Sequence, residues 1–251
     1  MPGLRDSSPH LGLWSVTADP RILEAAAALG PDFLAIDTQH GPHIASLGAE
    51  TFSTIAAHGV SSMVRVESHQ PAVIGRTLDL GADGIMAPQV DDPKQAAAVV
   101  AATRHSPSGV RSFGMQTMRI DPLADDYRPL VAVQIESSEA VENADAIAAV
   151  DGVDWLYVGP ADLGLSVGGI PASDVVSVFD GTHPLSNDMQ KAFTTVIEAA
   201  ARHGKLAGLH CGNGLAARRL LEFGFTVSAV ASDLGGATSH ALAEQLRIAR
   251  G

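Results

Sequence analysis

The chain is poorly supplied with the residues that build disulfides, imines or nucleic-acid contacts. Its one cysteine, Cys211, has no internal partner and no neighbour at a zinc-ligand spacing, which fits a reducing compartment. Lysine occurs only as Lys94, Lys191 and Lys205. The first opens a predicted helix, the second lies within another and the third precedes a strand, so none stands where the Schiff-base lysine of a barrel would. Acids outnumber bases by 28 to 16, a formal charge of -12 at pH 7. That balance repels phosphate backbones and anionic membrane surfaces alike, so neither nucleic acid nor membrane is an expected partner. An anionic substrate would have to be met locally, by an arginine, a metal or a helix N-terminus. No apolar run approaches a bilayer span, and "MPGLRDSSPH" has neither an apolar stretch nor a small-residue cleavage site. A soluble cytoplasmic protein is the expectation.

What is abundant is apolar surface in a regular rhythm. With 46% hydrophobic and 18% charged residues over 251 positions, one large core is affordable, and a single domain spanning 1–251 is expected. Eight short apolar segments read as strands: "LGLWSV", "FLAIDT", "SSMVRV", "GIMAPQV", "LVAVQIE", "WLYVGP", "KLAGLHC" and "VSAVAS". Between them lie alanine-rich stretches with helix-spaced apolar residues, several ending in glycine. Continuous apolar strands alternating with helices require a parallel sheet covered on both faces, and eight units close into a (β/α)8 TIM barrel. An open doubly wound sheet is the alternative. Residues 105–129 and 164–184 break the rhythm and are candidate lids or subunit contacts.

In such a barrel alternate strand residues point inward, which places Gln134 and Glu136 on one face and Val133 and Ile135 against the helices. The same parity brings Asp37 and Arg65 to the ends of the second and third strands, and Asp162 follows the turn "GPAD" after the sixth. Two acids at adjacent strand ends repel unless something neutralises them, and a hard divalent ion such as Mg²⁺ or Mn²⁺ does so while leaving positions for water and substrate. The plainer alternative makes Glu136 a cap for the helix beginning at Ser137 and Asp162 a solvated loop acid. His40, on a short Gly-Pro-bounded loop, is placed to shuttle protons or simply to satisfy backbone carbonyls. Cys211 and His210 end the seventh strand, but a lone cysteine is more often a small buried hydrophobe than a nucleophile. "ASDLGGATSH" before the last helix offers weak grounds for an anion site.

The ordered motifs "GLW", "AIDTQHGP", "VRV", "VQIE" and "VGPADL" resemble the HpcH/HpaI aldolase/citrate lyase family, closest to its metal-dependent (class II) pyruvate aldolases, from about Gly12 to the C-terminus. The resemblance implies Glu136 and Asp162 as ligands of a divalent metal (Mg²⁺, Mn²⁺ or Co²⁺). It implies His40 as an acid/base group acting through metal-bound water, paired with Asp79 at the end of the third helix. Arg65 would bind the keto acid and its enolate. Gln134 with Gly159, Pro160 and Ala161 would line the keto-acid site, Trp14 would stand at the mouth, and Asp37 would support from behind. A homo-hexamer, a trimer of dimers with a swapped last helix, is implied as well. Gln39, Ser112, the 164–184 loop and "GLHC" depart from the aldolase pattern, which bears on the aldehyde rather than on the pyruvate half.

The expected activity is cleavage of a 4-hydroxy-2-oxo acid to pyruvate and an aldehyde, reversibly, on small-molecule substrates. The rivals are citrate-lyase-like cleavage of a coenzyme A thioester, for which no basic patch is evident, and a phosphosugar isomerase or non-catalytic small-molecule sensor using the Gly-Gly segment.

Overall fold

The computed structural model describes residues 3–6, 9–42, 44–114, 127–168, 178, 180–182, 184–233 and 239–250. All eight expected strands form, and they close into one parallel barrel in sequence order. The strands are β1 (His10–Ser15), β2 (Phe33–Asp37), β3 (Ser61–Arg65), β4 (Gly84–Ala87), β5 (Leu130–Ile135), β6 (Trp155–Val158), β7 (Leu206–Cys211) and β8 (Val227–Ser232). Around them lie helices α1 (Pro20–Ala27), α2 (Ala49–Ala57), α3 (Pro71–Asp79), α4 (Pro93–Thr103), α5 (Ser138–Glu142), α6 (Ala144–Ala148), α7 (Pro160–Gly168), α8 (Asn187–Arg202), α9 (Gly214–Phe223) and α10 (Ser239–Arg250).

Local chemistry starts these helices where the sequence says it should. Asp19 and Asp92 cap α1 and α4 with side chains that accept amide hydrogens, each followed by proline at the first helical position. Ser186 and Asn213 cap α8 and α9 in the same way. Two expectations need correction. The alanine-rich stretch "SEAVENADAIAAVDG" after β5, one of those expected to be helical, is not a single helix but breaks at Asn143, whose side-chain amide is drawn to the Asp91 carbonyl at 2.8 Å. The turn expected at "GPAD" is instead the opening of α7, so Asp162 lies in a helix's first turn.

Parity divides the core in two. Leu13, Val64, Val133, Ile135 and Val158 pack outward against the helices, while Trp14, Phe33, Met63, Met86, Trp155 and Tyr157 fill the bore. The bore holds such large rings because glycine faces them: a Cβ on Gly12 would lie 2.5 Å from the Phe33 ring, and one on Gly208 would lie 2.9 Å from that of Tyr157. At the base, Leu4 closes the cylinder and its carbonyl accepts from Trp155 Nε1 at 2.9 Å.

The base is laced by a repeated device. A polar residue just before each even-numbered strand accepts an amide hydrogen from the start of the strand preceding it. Asp32 takes Leu11 N at 2.8 Å, Asp83 takes Ser62 N at 2.9 Å, Asp154 takes Val131 N at 3.0 Å, and Thr226 takes Ala207 N at 3.3 Å. Each bond ties a strand pair at the end where the barrel does no chemistry, which is where stability belongs in this fold.

Helix α10 covers its own barrel in this single chain, burying Leu242, Leu246 and Ala249. Gln245 accepts from Gly214 N at 2.9 Å, and Arg250 donates to the Gly30 carbonyl at 2.7 Å. An exchange of this helix between copies would transfer those same contacts. Among the described residues no helix is long and apolar enough to cross a membrane.

Candidate active site at the barrel mouth

At the C-terminal ends of the strands lies a cavity of about 330 Å³. Its walls gather Trp14 from β1, Asp37 and His40 from β2 and the loop beyond it, Arg65 from β3, Gln134 and Glu136 from β5, Tyr157 and residues 158–162 from β6 and α7, and His210 from β7. Every residue assigned to the site by sequence therefore lines this one space, except Asp79. A larger hollow of about 610 Å³ lies elsewhere, between 103–108 and 127–131, but among the described residues no carboxylate lines it.

Asp79 requires a correction. Barrel helices run back from mouth to base, so the last residue of α3 ends up at the opposite end from His40. There it forms an ion pair with the buried Arg111, Nη2 to Oδ1 at 2.6 Å, and Arg111 Nη1 donates to Tyr127 at 2.8 Å. The pairing of Asp79 with His40 is not made within this chain.

Arg65 is the most constrained group at the mouth. Its Nε donates to Asp37 Oδ1 at 2.9 Å and its Nη2 to Oδ2, a bidentate pair with both partners largely buried. Its guanidinium carbon also sits 5.0 Å from the centre of the Trp14 ring, whose plane in turn stacks on His210 at 4.7 Å and 14°. Asp37 accepts the amides of Gln39 and His40 as well, at 3.0 and 3.2 Å, which anchors the loop carrying His40. Burial alone would raise the Asp37 pKa, but the Arg65 hydrogen bonds and charge and the two amides outweigh it and hold the carboxyl below its usual range.

Glu136 shows the opposite balance. It is 5% exposed, and burial pushes its pKa up; the charges of Asp162 and Asp91 push the same way, against the Gln89 amide and the charge of Arg65. The helix cap expected as its plainer role is filled by Ser137, which accepts from Ala140 N at 3.0 Å, so capping does not explain Glu136. Its Oε2 accepts from Gln89 N at 2.9 Å. Its Oε1 lies where Gly159 leaves room: a Cβ on that glycine would be 2.1 Å away. Close beside it, Gln134 has an Oε1 that is buried with no hydrogen-bond partner among the described residues.

These donors fit a hard divalent ion. Two carboxylates close enough to raise the cost of ionisation, with an unsatisfied amide oxygen in the same cavity, are oxygen ligands lacking a counter-charge. Among the described residues no group of three or more His, Cys, Asp or Glu converges on a metal position. Glu136 and Asp162 would then be two carboxylate ligands, as sites for Mg²⁺-type ions commonly have, with the other positions left to water and substrate.

His210 and Cys211 part company at the end of β7. His210 faces the cavity; burial pushes its pKa down to about 4, and its Nε2 lies 3.2 Å from the Ala231 carbonyl. Cys211 faces the helices, contacts Ser228 Oγ at 3.3 Å, and burial pushes its thiol up to about 11, which removes it as a nucleophile. Half of the weak anion segment expected at "ASDLGGATSH", 234–238 with both glycines, lies outside the described residues. Its Asp233 is committed to structure, accepting from Ser15 Oγ at 2.6 Å, Val16 N at 2.8 Å and Thr17 Oγ1 at 2.6 Å.

Sequence reasoning did not find Gln89 or Asp91, which act on Glu136 from the loop after β4. Asp91 carries the same signal as the other site acids, a position just beyond a strand's C-terminal end. Gln89 acts through its backbone and carries none.

A 5-keto-4-deoxy-D-glucarate aldolase of Shigella sonnei (strain Ss046) is 34% identical over 233 residues, 90% of this chain and 87% of the relative. Among solved structures, an HpcH/HpaI aldolase/citrate lyase family protein from Burkholderia cenocepacia J2315 superposes with a TM-score of 0.81 at 32% identity, covering 99% of this chain and 97% of that one. An HpcH/HpaI aldolase from Desulfitobacterium hafniense DCB-2 shares the fold, with a TM-score of 0.79 at 23% identity over 96% of this chain and 92% of that one. Residues 10–239 match the family described as HpcH/HpaI aldolase/citrate lyase, and this chain belongs to that family.

Proposed function

We propose that the protein is a divalent-metal-dependent aldolase that cleaves a 4-hydroxy-2-oxo acid to pyruvate and an aldehyde, and runs the reverse addition. The observation that carries the reading is the opposition, across one cavity, of Arg65 locked onto Asp37 and the buried, under-compensated Glu136 with the exposed Asp162 close enough to act on it. An ion such as Mg²⁺, Mn²⁺ or Co²⁺ held by Glu136 and Asp162 would supply Lewis-acid polarisation of the keto group and a counter-charge for the enolate.

The chain's own residues do the rest. Asp37 engages Nε and Nη2 of Arg65, so the guanidinium keeps Nη1 for the keto oxygen, where negative charge grows as the C3–C4 bond breaks. A donor placed for such an oxyanion is worth roughly 2.7–4 kcal/mol. The substrate carboxylate lies against Gln134 and the opening of α7 at Gly159, Pro160 and Ala161, where the amides of Ala161 and Asp162 have no intrahelical acceptor; Pro160 has no N–H, and the Gly159 amide donates to the Ile135 carbonyl at 3.2 Å. His40, exposed at the rim on a loop anchored by Asp37, takes the C4 hydroxyl proton and later returns a proton to C3 of the enolate. Trp14 forms the floor under Arg65. No lysine imine enters this route.

The same reading makes the protein a single-domain cytoplasmic enzyme that assembles as a homo-oligomer, a trimer of dimers with α10 exchanged. Asp79, at the base, would serve His40 only from a neighbouring copy whose base meets this mouth.

The test is pyruvate release, coupled to lactate dehydrogenase, across a panel of 4-hydroxy-2-oxo acids with and without chelator. The panel includes 5-keto-4-deoxy-D-glucarate, which has that arrangement when numbered from its keto end. Release that stops with chelator and returns with Mg²⁺ or Mn²⁺ is expected. Release indifferent to chelator, or none from any substrate, overturns the reading; an isomerase or a sensor would give the latter.

A further inference from the structure

The chain leaves β4 through a backbone conformation that its sequence does not favour. Gln89 has φ +50°, in the left-handed region that residues with a Cβ seldom occupy. Its side chain is exposed, so no packing of that side chain demands the conformation. What the conformation achieves is a divergence of two consecutive amides. Val90 N extends the ladder to the Gln134 carbonyl at 3.1 Å, whereas Gln89 N turns to Oε2 of Glu136 at 2.9 Å. The φ and ψ of Gln89 alone set the angle between those two N–H bonds. With Val90 fixed by the sheet, a right-handed Gln89 would aim its amide away from the carboxylate.

On the far side of the same carboxylate, Gly159 closes the grip. A Cβ there would lie 2.1 Å from Oε1 and 2.6 Å from Cγ of Glu136. The loop itself is stitched down: Ser137 Oγ donates to Asp91, and Asn143 Nδ2 donates to the Asp91 carbonyl at 2.8 Å. Glu136 is therefore held with one oxygen spent on the Gln89 amide and the other turned toward the glycine that precedes Asp162 and its helix.

We propose that Gln89 is a positioning residue for the divalent cation: its left-handed backbone occupies Oε2 of Glu136 and so presents Oε1, on the Asp162 side, as the metal-binding oxygen. This rests on the reading of Glu136 as a metal ligand. Groups that orient a ligand from behind typically change metal affinity 10- to 100-fold when removed.

The experiment measures Mn²⁺ binding to the metal-stripped protein, by the paramagnetic signal of the free ion or by calorimetry, together with thermal unfolding. Gln89→Val is expected to bind Mn²⁺ about tenfold more weakly, since β-branched residues resist positive φ. Gln89→Gly and Gln89→Asn, which accept it, should bind like the wild type. If Gln89→Val does not fold, Gln89→Ala should show a smaller loss in the same direction. Equal affinity in the Val and Gly variants overturns the proposal, as does an equal loss in the Gly, Asn and Val variants, which would assign the effect to the side chain. Wild-type protein that binds Mn²⁺ no more tightly than Glu136→Gln overturns the ligand reading of Glu136, and this proposal with it; wild-type binding that all Gln89 variants retain overturns this proposal alone.

Discussion

The two ends of the barrel treat carboxylates in opposite ways. At the base, Asp83 accepts both the amide and the hydroxyl of Ser62, and Asp154 accepts Val131 N, Arg5 Nε and Arg128 Nη2. At the mouth, buried Glu136 has one hydrogen-bond partner among the described residues, the Gln89 amide, and faces two further acids that raise its cost of ionisation. Position at the mouth is not by itself what makes the difference. Asp233 also sits there, at the end of β8, and is saturated by donors from residues 15–17. The contrast is between acids whose partners the protein itself supplies, as it does for Asp83, Asp154 and Asp233, and Glu136, which it buries with a single amide.

The sharpest way to break that contrast is Glu136→Gln. If the carboxylate is there for a ligand, the amide should cost turnover on the order of a thousandfold, near the upper range seen for removal of one key electrostatic group. The melting temperature should hold or rise in metal-free protein, because burial already raises the Glu136 pKa and the folded state favours a neutral side chain. A clear fall in melting temperature alongside intact turnover would put Glu136 in the class of the base acids.

His210 offers a second test, this time of a half-buried mouth group that bears no charge at neutral pH. Its pKa is lowered by burial from 6.5 to about 4, with the charge of Arg65 pushing it further down and that of Asp37 pushing up. The unfolded chain protonates this histidine as pH falls below 6.5, while the folded protein does not until about 4. The unfolded state therefore binds more protons across that window, and stability should decline from pH 6.5 to 4 by up to roughly 3 kcal/mol. His210→Phe keeps an aromatic plane on Trp14 but has no proton to take up. The difference between the two proteins' unfolding free energies should grow over that pH interval; parallel curves would mean that water reaches the imidazole in the folded state.

Much of this contrast was legible before any coordinates. Alternation along "VAVQIE" placed Gln134 and Glu136 in the bore, and the same counting brought Asp37 and Arg65 to the rim beside them, because strand parity is fixed by the pleat. The parts that were not legible share one cause, a dependence on geometry beyond the period. Pro160 followed by "ADLGLSVG" opens a helix with proline at its first position, although "GPAD" by itself has the composition of a turn. At the end of α3, Asp79 is paired with Arg111 rather than lining the mouth, an arrangement that the motif "LDLG" does not reveal. No composition signal marks Gln89, a glutamine in a conformation usually left to glycine. The bulge that shifts the β1–β8 register between Leu13 and Trp14, beside the left-handed Ala231, is equally silent in sequence, yet it brings the Ala231 carbonyl to His210.

The smallest expected effect lies at the base and completes the contrast from the other side. Asp83→Ala should remove the acceptor of Ser62 N and of its hydroxyl, leaving a donor at a fully buried residue to find another partner. An unsatisfied buried donor costs about 1–3 kcal/mol, so chemical denaturation should show a loss of that size. Turnover per folded molecule should not change, because the lesion is at the end of the cylinder away from the cavity. Asp83→Asn, which retains a carbonyl oxygen for the amide, should recover part of the stability. If Asp83→Ala instead lowers turnover with stability intact, the base acids are not structural ties, and the division of labour between the two ends of the barrel fails.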